Sequence, residues 1–276
     1  MPRTWFAPLL LLLTALTGSC SKDATAGTRT VLTLTGSSTI APLATELGRR
    51  FEGSRPGLHV DVQSGGSSRG IADVRAGNAD IGMASRALAA SEGDLTAHTI
   101  ARDGVGLIVH NKNHVAELSA AQVRAIFTGK ITDWQEVGGS PGRITVVNKA
   151  EGRATLAVFL EHFELASRDI HADIIAGENE QAIKTVAGTE GAIGYVSIGT
   201  AEVDITAGVS IRLLALDGVQ ATTENVANGT YSLARPLNLV TAGTPSTLAL
   251  QFIEFAKSSA NHDIVRRESF VPIASH

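Results

Sequence analysis

Val31-Leu32-Thr33-Leu34-Thr35 alternates leucine and valine with threonine and predicts a β-strand, which Gly36-Ser37-Ser38-Thr39 ends. Ile40, Leu43, Leu47 and Phe51 then recur at helical spacing, with Ser38 or Thr39 as the expected N-cap and Pro42 tolerated in the first turn. Val60 and Val62 alternate as a second strand before the turn Ser64-Gly65-Gly66-Ser67-Ser68-Arg69-Gly70, and a short helix carries Ile71 and Val74. A third strand, Asp80 to Ala84, ends in Ser85-Arg86, and another spans Gly106 to His110. Ser119 with Gln122 forms a capping box for a helix through Val123, Ile126 and Phe127. Ile144 to Val147 reads as a strand, Glu151 to Thr155 as a turn, and Leu156, Phe159, Leu160 and Phe163 as one helical stripe. Ile174-Ile175, a helix with Ile183 and Val186, and a strand Ile193 to Ile198 continue the alternation. A strand at Leu237 to Thr241 and helices at Ser246 to Ala256 and Asp263 to Glu268 close it. Repeated strand–turn–helix units predict an α/β protein with parallel sheets.

Composition narrows the possibilities. With 276 residues, 43% hydrophobic and 18% charged, the chain can bury a substantial core as one large or two modest domains. A net charge of −4 argues against a nucleic-acid partner, which requires a basic face. One cysteine excludes a disulfide framework, and the eight histidines lack metal-ligand spacing, so no metal or other cofactor is expected. That cysteine, Cys20, follows Arg3, the apolar stretch Trp5 to Leu16 and the small residues Thr17-Gly18-Ser19. The stretch is too short to span a bilayer and fits the h-region of an export signal over residues 1–20, with residues 21–29 as a polar tether. It resembles a bacterial lipoprotein signal with Cys20 as the lipidated residue, although Thr17 stands where leucine is usual; plain signal-peptidase cleavage is the other reading. Removal of residues 1–19 takes away one basic residue and leaves a mature charge of −5.

Four turns, at 36–39, 65–70, 84–86 and 152–155, are dense in serine, threonine or glycine. Three of them are expected to open helices, whose N-termini leave unpaired N–H groups and a partial positive charge. Converging, such turns would hold a small oxyanion by hydrogen bonds, whatever the net charge of the protein.

Gly36 to Pro42, Ser64 to Ile71, Ala79 to Arg86, Leu118 to Trp134 and Ile193 to Val196 resemble, in order, the phosphate-binding solute receptors of bacterial ABC transporters. The resemblance implies a type II periplasmic-binding fold, two α/β lobes joined by two hinge crossings, with residues 30–108 and 212–276 as one lobe and 109–211 as the other. It implies a monomer that captures inorganic phosphate between its lobes for an inner-membrane ABC permease, held in the periplasm or at the cell surface by a lipid anchor. By the same resemblance Ser37, Ser38, Thr39, Gly66, Ser67, Ser68 and Ser85 would line the ligand site from one lobe. Lys149, Arg153 and Thr155 would face them, in place of an arginine followed by a Ser-Gly-Thr triplet. Arg86 stands where part of the family has the aspartate that accepts the phosphate proton and so rejects sulfate; Glu151 is the nearest candidate to replace it.

Two other readings stay open. One is a receptor for another tetrahedral oxyanion such as sulfate. The other is a secreted serine hydrolase, since Gly66-Ser67-Ser68-Arg69-Gly70 matches a nucleophile elbow and Ser68, Asp263, His276 (or Asp204, His262) follow in the required order. Only two candidate strands precede that elbow after export, too few for the central strand of a hydrolase sheet.

Overall fold

The computed structural model describes Met1 and residues 30–274; the segment expected to be an export signal, Cys20, the expected tether and His276 lie outside the described residues. The leucine–threonine run forms β1 (Thr30–Gly36), with Leu32 and Leu34 fully buried. β1 pairs in parallel with β2 (Leu58–Ser64) on one side and β3 (Ile81–Ala84) on the other. The connections are α1 (Ala41–Glu52) and α2 (Ser67–Ala76), the helical crossovers that parallel strands require. Gly77 ends α2 in the left-handed conformation, φ +72°, where its N–H returns to the Asp73 and Val74 carbonyls.

The next strand departs from the sequence expectation. β4 runs sixteen residues, Leu95–His110, rather than beginning at Gly106. Its first half, Thr96-Ala97-His98-Thr99 through Arg102-Asp103, is too polar to read as a central strand, because its buried polar groups are satisfied by partners distant in sequence. Thr99 Oγ1 donates to Asn238 Oδ1 at 2.8 Å, and Asp103 accepts from Arg235.

The second half of the chain repeats the plan. β5 (Glu117–Leu118) precedes α3 (Ala120–Phe127), whose Ser119–Gln122 capping box forms as expected. Then follow β6 (Thr145–Lys149), α4 (Ala154–Phe163), β7 (Ile174–Ala176), α5 (Asn179–Ala187), β8 (Ala192–Ser197) and α6 (Ile198–Thr206). The return is made through β9 (Ile211–Leu213), β10 (Ala215–Leu216), α7 (Thr223–Ala227) and β11 (Ala234–Ala242). The chain closes with α8 (Thr247–Lys257), α9 (His262–Arg267) and β12 (Val271–Pro272). The main curled sheet runs in the order β2, β1, β3, β11, β4, β8, β6, β7, with β9 and β12 pairing with β4 off this path, and β5 and β10 form a small sheet of their own. β4 belongs to both halves: residues 95–104 pair with β11 and residues 105–109 with β8.

Helices cover both faces of each half. In the first, Leu43, Leu47 and Phe51 of α1 meet Phe252 and Ile253 of α8 on β1 and β11, the Phe51 and Phe252 rings lying edge to face at 5.3 Å. In the second, Phe127, Phe159, Phe163 and Tyr195 form an aromatic centre, Phe159 stacking on Tyr195 at 4.0 Å. Each such buried ring contributes roughly 1.5–3 kcal/mol relative to exposure. Leu214, Leu216, Val226, Tyr231 and Leu233, which the sequence reading put in the first lobe, pack into this second cluster. The long strands thus pass between the clusters near Gly104 in β4 and near Ala234 at the start of β11, and Val271 of β12 packs back into the second cluster. Among the described residues no helix is long and apolar enough to cross a membrane.

Candidate functional site

The first-lobe turns lock onto one another before any ligand is considered. Gly36 has φ +132°, and a Cβ there would stand 2.4 Å from the Met83 carbonyl oxygen, so glycine is required. The Gly36 carbonyl accepts from the N–H groups of Gly65 and Gly66, both at 2.8 Å. Ser37 Oγ donates to Ser85 Oγ at 2.9 Å, and the Ser85 N–H donates to Ser67 Oγ at 3.1 Å. Neither Ser38 nor Thr39 caps α1, as the sequence had suggested. The Ser37 carbonyl instead accepts from the Ile40 and Ala41 N–H groups at 3.2 and 3.1 Å, which leaves the Ser38 and Thr39 hydroxyls for other partners.

The second lobe supplies cations and a helix N-terminus. Lys149 ends β6 and is 3% exposed; its Nζ donates to the Glu178 carbonyl at 2.9 Å and to Asn179 Oδ1 at 3.2 Å. Burial, with Arg235 as the next cause, pushes its pKa down to about 7. Gly152 at φ +79° turns the chain into α4, with Arg153 at the N-cap and Ala154 and Thr155 in the first turn, where N–H groups have no partner inside the helix. Arg153 pairs with Glu178 at 2.6 Å.

The two sets meet in one small cleft. Ser37, Ser38, Thr39, Gly66, Ser67 and Ser85 line it from the first lobe. Lys149, Arg153 and Thr155 line it from the second, with Ala154, Gly177 and Asn179. The lobes touch directly: the Ser68 N–H donates to the Gly152 carbonyl at 3.2 Å, and Asn179 Nδ2 donates to Thr39 Oγ1 at 3.1 Å. The lining is rich in donors and positive charge, a chemistry for a small oxyanion.

Three expectations need correction. Arg86 does not reach the cleft: its guanidinium forks onto Glu92, at 2.7 and 2.8 Å, in a largely buried pair, which also holds the Glu92 carboxyl below its ordinary pKa. The Ser68 side chain is exposed and lines a larger, adjoining groove that Arg86 shares, with Arg153 common to both. Glu151 is exposed and bonds to Ser167 Oγ, so it offers the cleft no acceptor. The hydrolase triad is not assembled either. Asp263 forks onto Arg50 at 2.7 and 2.6 Å, Asp204 and His262 belong to different lobes, and His276 lies outside the described residues.

Two residues of the site were missed. Asn179 opens α5 in a sequence, Gly177-Glu178-Asn179, with no motif. Arg235 sits on β11 in Ala234-Arg235-Pro236, where a lone arginine gives no signal; it pairs with Asp103 at 2.8 Å, each side chain 1% exposed.

Two lobes wound on one sheet, crossed twice and facing a donor-lined cleft, define a type II periplasmic-binding fold. The chain belongs to the PBP superfamily, whose domain model matches residues 22–260, and within it to the family of PstS phosphate-binding proteins. It is 30% identical over 247 residues to the phosphate-binding protein PstS of Bacillus subtilis, covering 88% of this chain and 80% of that protein. Among solved structures it resembles a Clostridium perfringens protein described as a phosphate ABC transporter substrate-binding protein, solved with bound phosphate: TM-score 0.83, 32% identity, 88% of this chain and 100% of that one. An ABC-type phosphate transport receptor from Vibrio cholerae matches with TM-score 0.73 and 28% identity over 88% of this chain and 100% of that one.

Proposed function

We propose that this protein is a receptor that captures inorganic phosphate in the cleft between its lobes and delivers it to an inner-membrane ABC permease, without bond chemistry of its own. The observation that carries this reading is the convergence of hydroxyls and helix N-terminal N–H groups on the buried Lys149, from both lobes, in one small cleft. Ser37, Ser38, Thr39, Gly66, Ser67, Ser85, Lys149, Arg153 and Thr155 are the proposed ligand residues, joined by Asn179. The lobes divide near Gly104 and Ala234, so that residues 30–103 with 235–274 form one and residues 105–233 the other.

Calorimetric titration of the mature, anion-free protein with phosphate, sulfate, arsenate and molybdate tests this directly. Phosphate is expected to bind most tightly. A second reading, a general oxyanion receptor, is favoured by one feature: among the described residues none that lines the cleft is acidic, so no lining carboxylate rejects sulfate. Equal affinity for phosphate and sulfate would establish it in place of the first.

The protein is further proposed to be an exported monomer anchored at Cys20. Cys20→Ser is expected to move it from the membrane fraction to the soluble fraction; an unmodified mature N-terminus at another residue would refute the anchor.

A further inference from the structure

Arg235 occupies the place where the two crossings run side by side. It is the antiparallel register partner of Asp103, so the strand that leaves the first lobe and the strand that returns to it meet at this ion pair. Nε and Nη2 donate to Asp103 Oδ2 at 3.1 and 2.8 Å. The rest of the guanidinium reaches both halves of the cleft. Nη2 donates to Thr39 Oγ1 at 3.2 Å and Nη1 to Thr155 Oγ1 at 3.1 Å.

A hydroxyl has two lone pairs and one proton. At Thr39 both lone pairs are occupied by N–H donors, Arg235 Nη2 and Asn179 Nδ2, so the hydroxyl can act only as a donor. Thr155 Oγ1 likewise accepts from a fixed guanidinium, which turns its proton away from Arg235. Both residues line the cleft, and both are buried. A lysine could not hold two hydroxyls in this way, because only the planar fork presents several N–H groups at fixed angles.

We propose that Arg235, itself held by Asp103, is the positioning residue that fixes the Thr39 and Thr155 hydroxyls as donors toward a tetrahedral oxyanion. Because one hydroxyl belongs to each lobe, the same guanidinium ties donor alignment to lobe closure. The proposal rests on the cleft being an oxyanion site, and it adds a residue that need not touch the ion.

Arg235→Lys keeps a cation beside Asp103 and removes the fork. Phosphate affinity, measured by calorimetry, is expected to fall 10–100-fold. In the Thr155→Val background the same substitution is expected to cost at least threefold less, because part of its effect acts through that hydroxyl. A purely structural role would instead give the same cost in both backgrounds. If Arg235→Lys does not fold, as judged by circular dichroism, the neutral pair Arg235→Met with Asp103→Leu replaces it in the same cycle. An affinity within twofold of wild type, or equal costs in the two backgrounds, overturns the positioning role while leaving phosphate binding intact. Failure of the wild type to bind any of the four oxyanions overturns the functional reading and this inference with it.

Discussion

The two walls of the cleft are built on different principles. The first-lobe wall is neutral, and its turns bond to one another: Ser37 to Ser85, Ser85 to Ser67, and Gly65 and Gly66 to Gly36. None of these contacts involves the second lobe, so this wall keeps its shape when the lobes part. The second-lobe wall carries Lys149 and Arg153, tied to Asn179 and Glu178 within their own lobe. Shape comes from one side and charge from the other. An anion needs both, so the closed arrangement is the one it favours, as population shift requires.

Lys149→Met gives the largest expected effect of breaking this division. Losing a charged donor to a buried anion costs about 1.5–3 kcal/mol, or roughly 10–100-fold in affinity. The empty protein should nevertheless become more stable. Lys149 is a base whose pKa falls from 10.5 unfolded to about 7 folded, so between those values the unfolded chain binds more protons and stability rises with pH. Removing the ammonium removes that slope, and thermal melts of the empty variant across pH 7–10 should be flatter and higher. Arg235 and Arg153 push the Lys149 pKa down and Glu178 and Glu180 push it up; a bound oxyanion adds to the second group. Wild-type capture near neutral pH should therefore take up part of a proton, read as a dependence of binding heat on buffer ionisation enthalpy. No uptake would mean that Lys149 is already charged in the empty cleft.

Ser67→Ala tests the other wall and should behave oppositely. It leaves the buried Ser85 N–H without its acceptor, which costs about 1–3 kcal/mol of stability. Affinity should fall as well, but with little added dependence on salt or pH, since no charge changes. A stability gain on Ser67→Ala would show that the neutral wall is not held together in this way.

The same contrast explains what could be read without the structure. The neutral wall is written locally, in Gly36 to Thr39, Ser64 to Gly70 and Ser85, because tight turns and helix N-termini demand glycine and serine at fixed places. Its residues were found, though Ser68, the next residue along α2, faces outward. Most of the longer helices were legible for the same local reason, down to the Ser119–Gln122 box, whereas α6 and α7 were not read. The charged parts depend on partners far away in sequence. Asp103 finds Arg235 across 132 residues, and both look like polar interruptions of weak strands. That one pairing hid the first half of β4 and a central residue of the site together. Arg86 failed in the opposite sense, being read as free when Glu92, six residues on, already held it.

Arg86 supplies the smallest expected effect on binding. Its guanidinium is committed to Glu92 through two hydrogen bonds, and it lines the larger groove and not the cleft. Arg86→Ala should leave phosphate affinity within twofold, as should Glu151→Gln, whose carboxylate is spent on Ser167. Stability should separate the two. Arg86→Ala strands a partly buried carboxylate and should cost about 1–3 kcal/mol near neutral pH. Arg86 holds the Glu92 pKa below its ordinary value, so the pair contributes stability above the unfolded carboxylate pKa and loses it as pH falls through the folded one. The difference in melting temperature between wild type and Arg86→Ala should therefore shrink on acidification through that range. If Arg86→Ala weakens phosphate tenfold or more at unchanged stability, the Arg86–Glu92 pair must open to bring the guanidinium to the anion, and the second lobe would no longer be the sole source of the charge that lines the cleft.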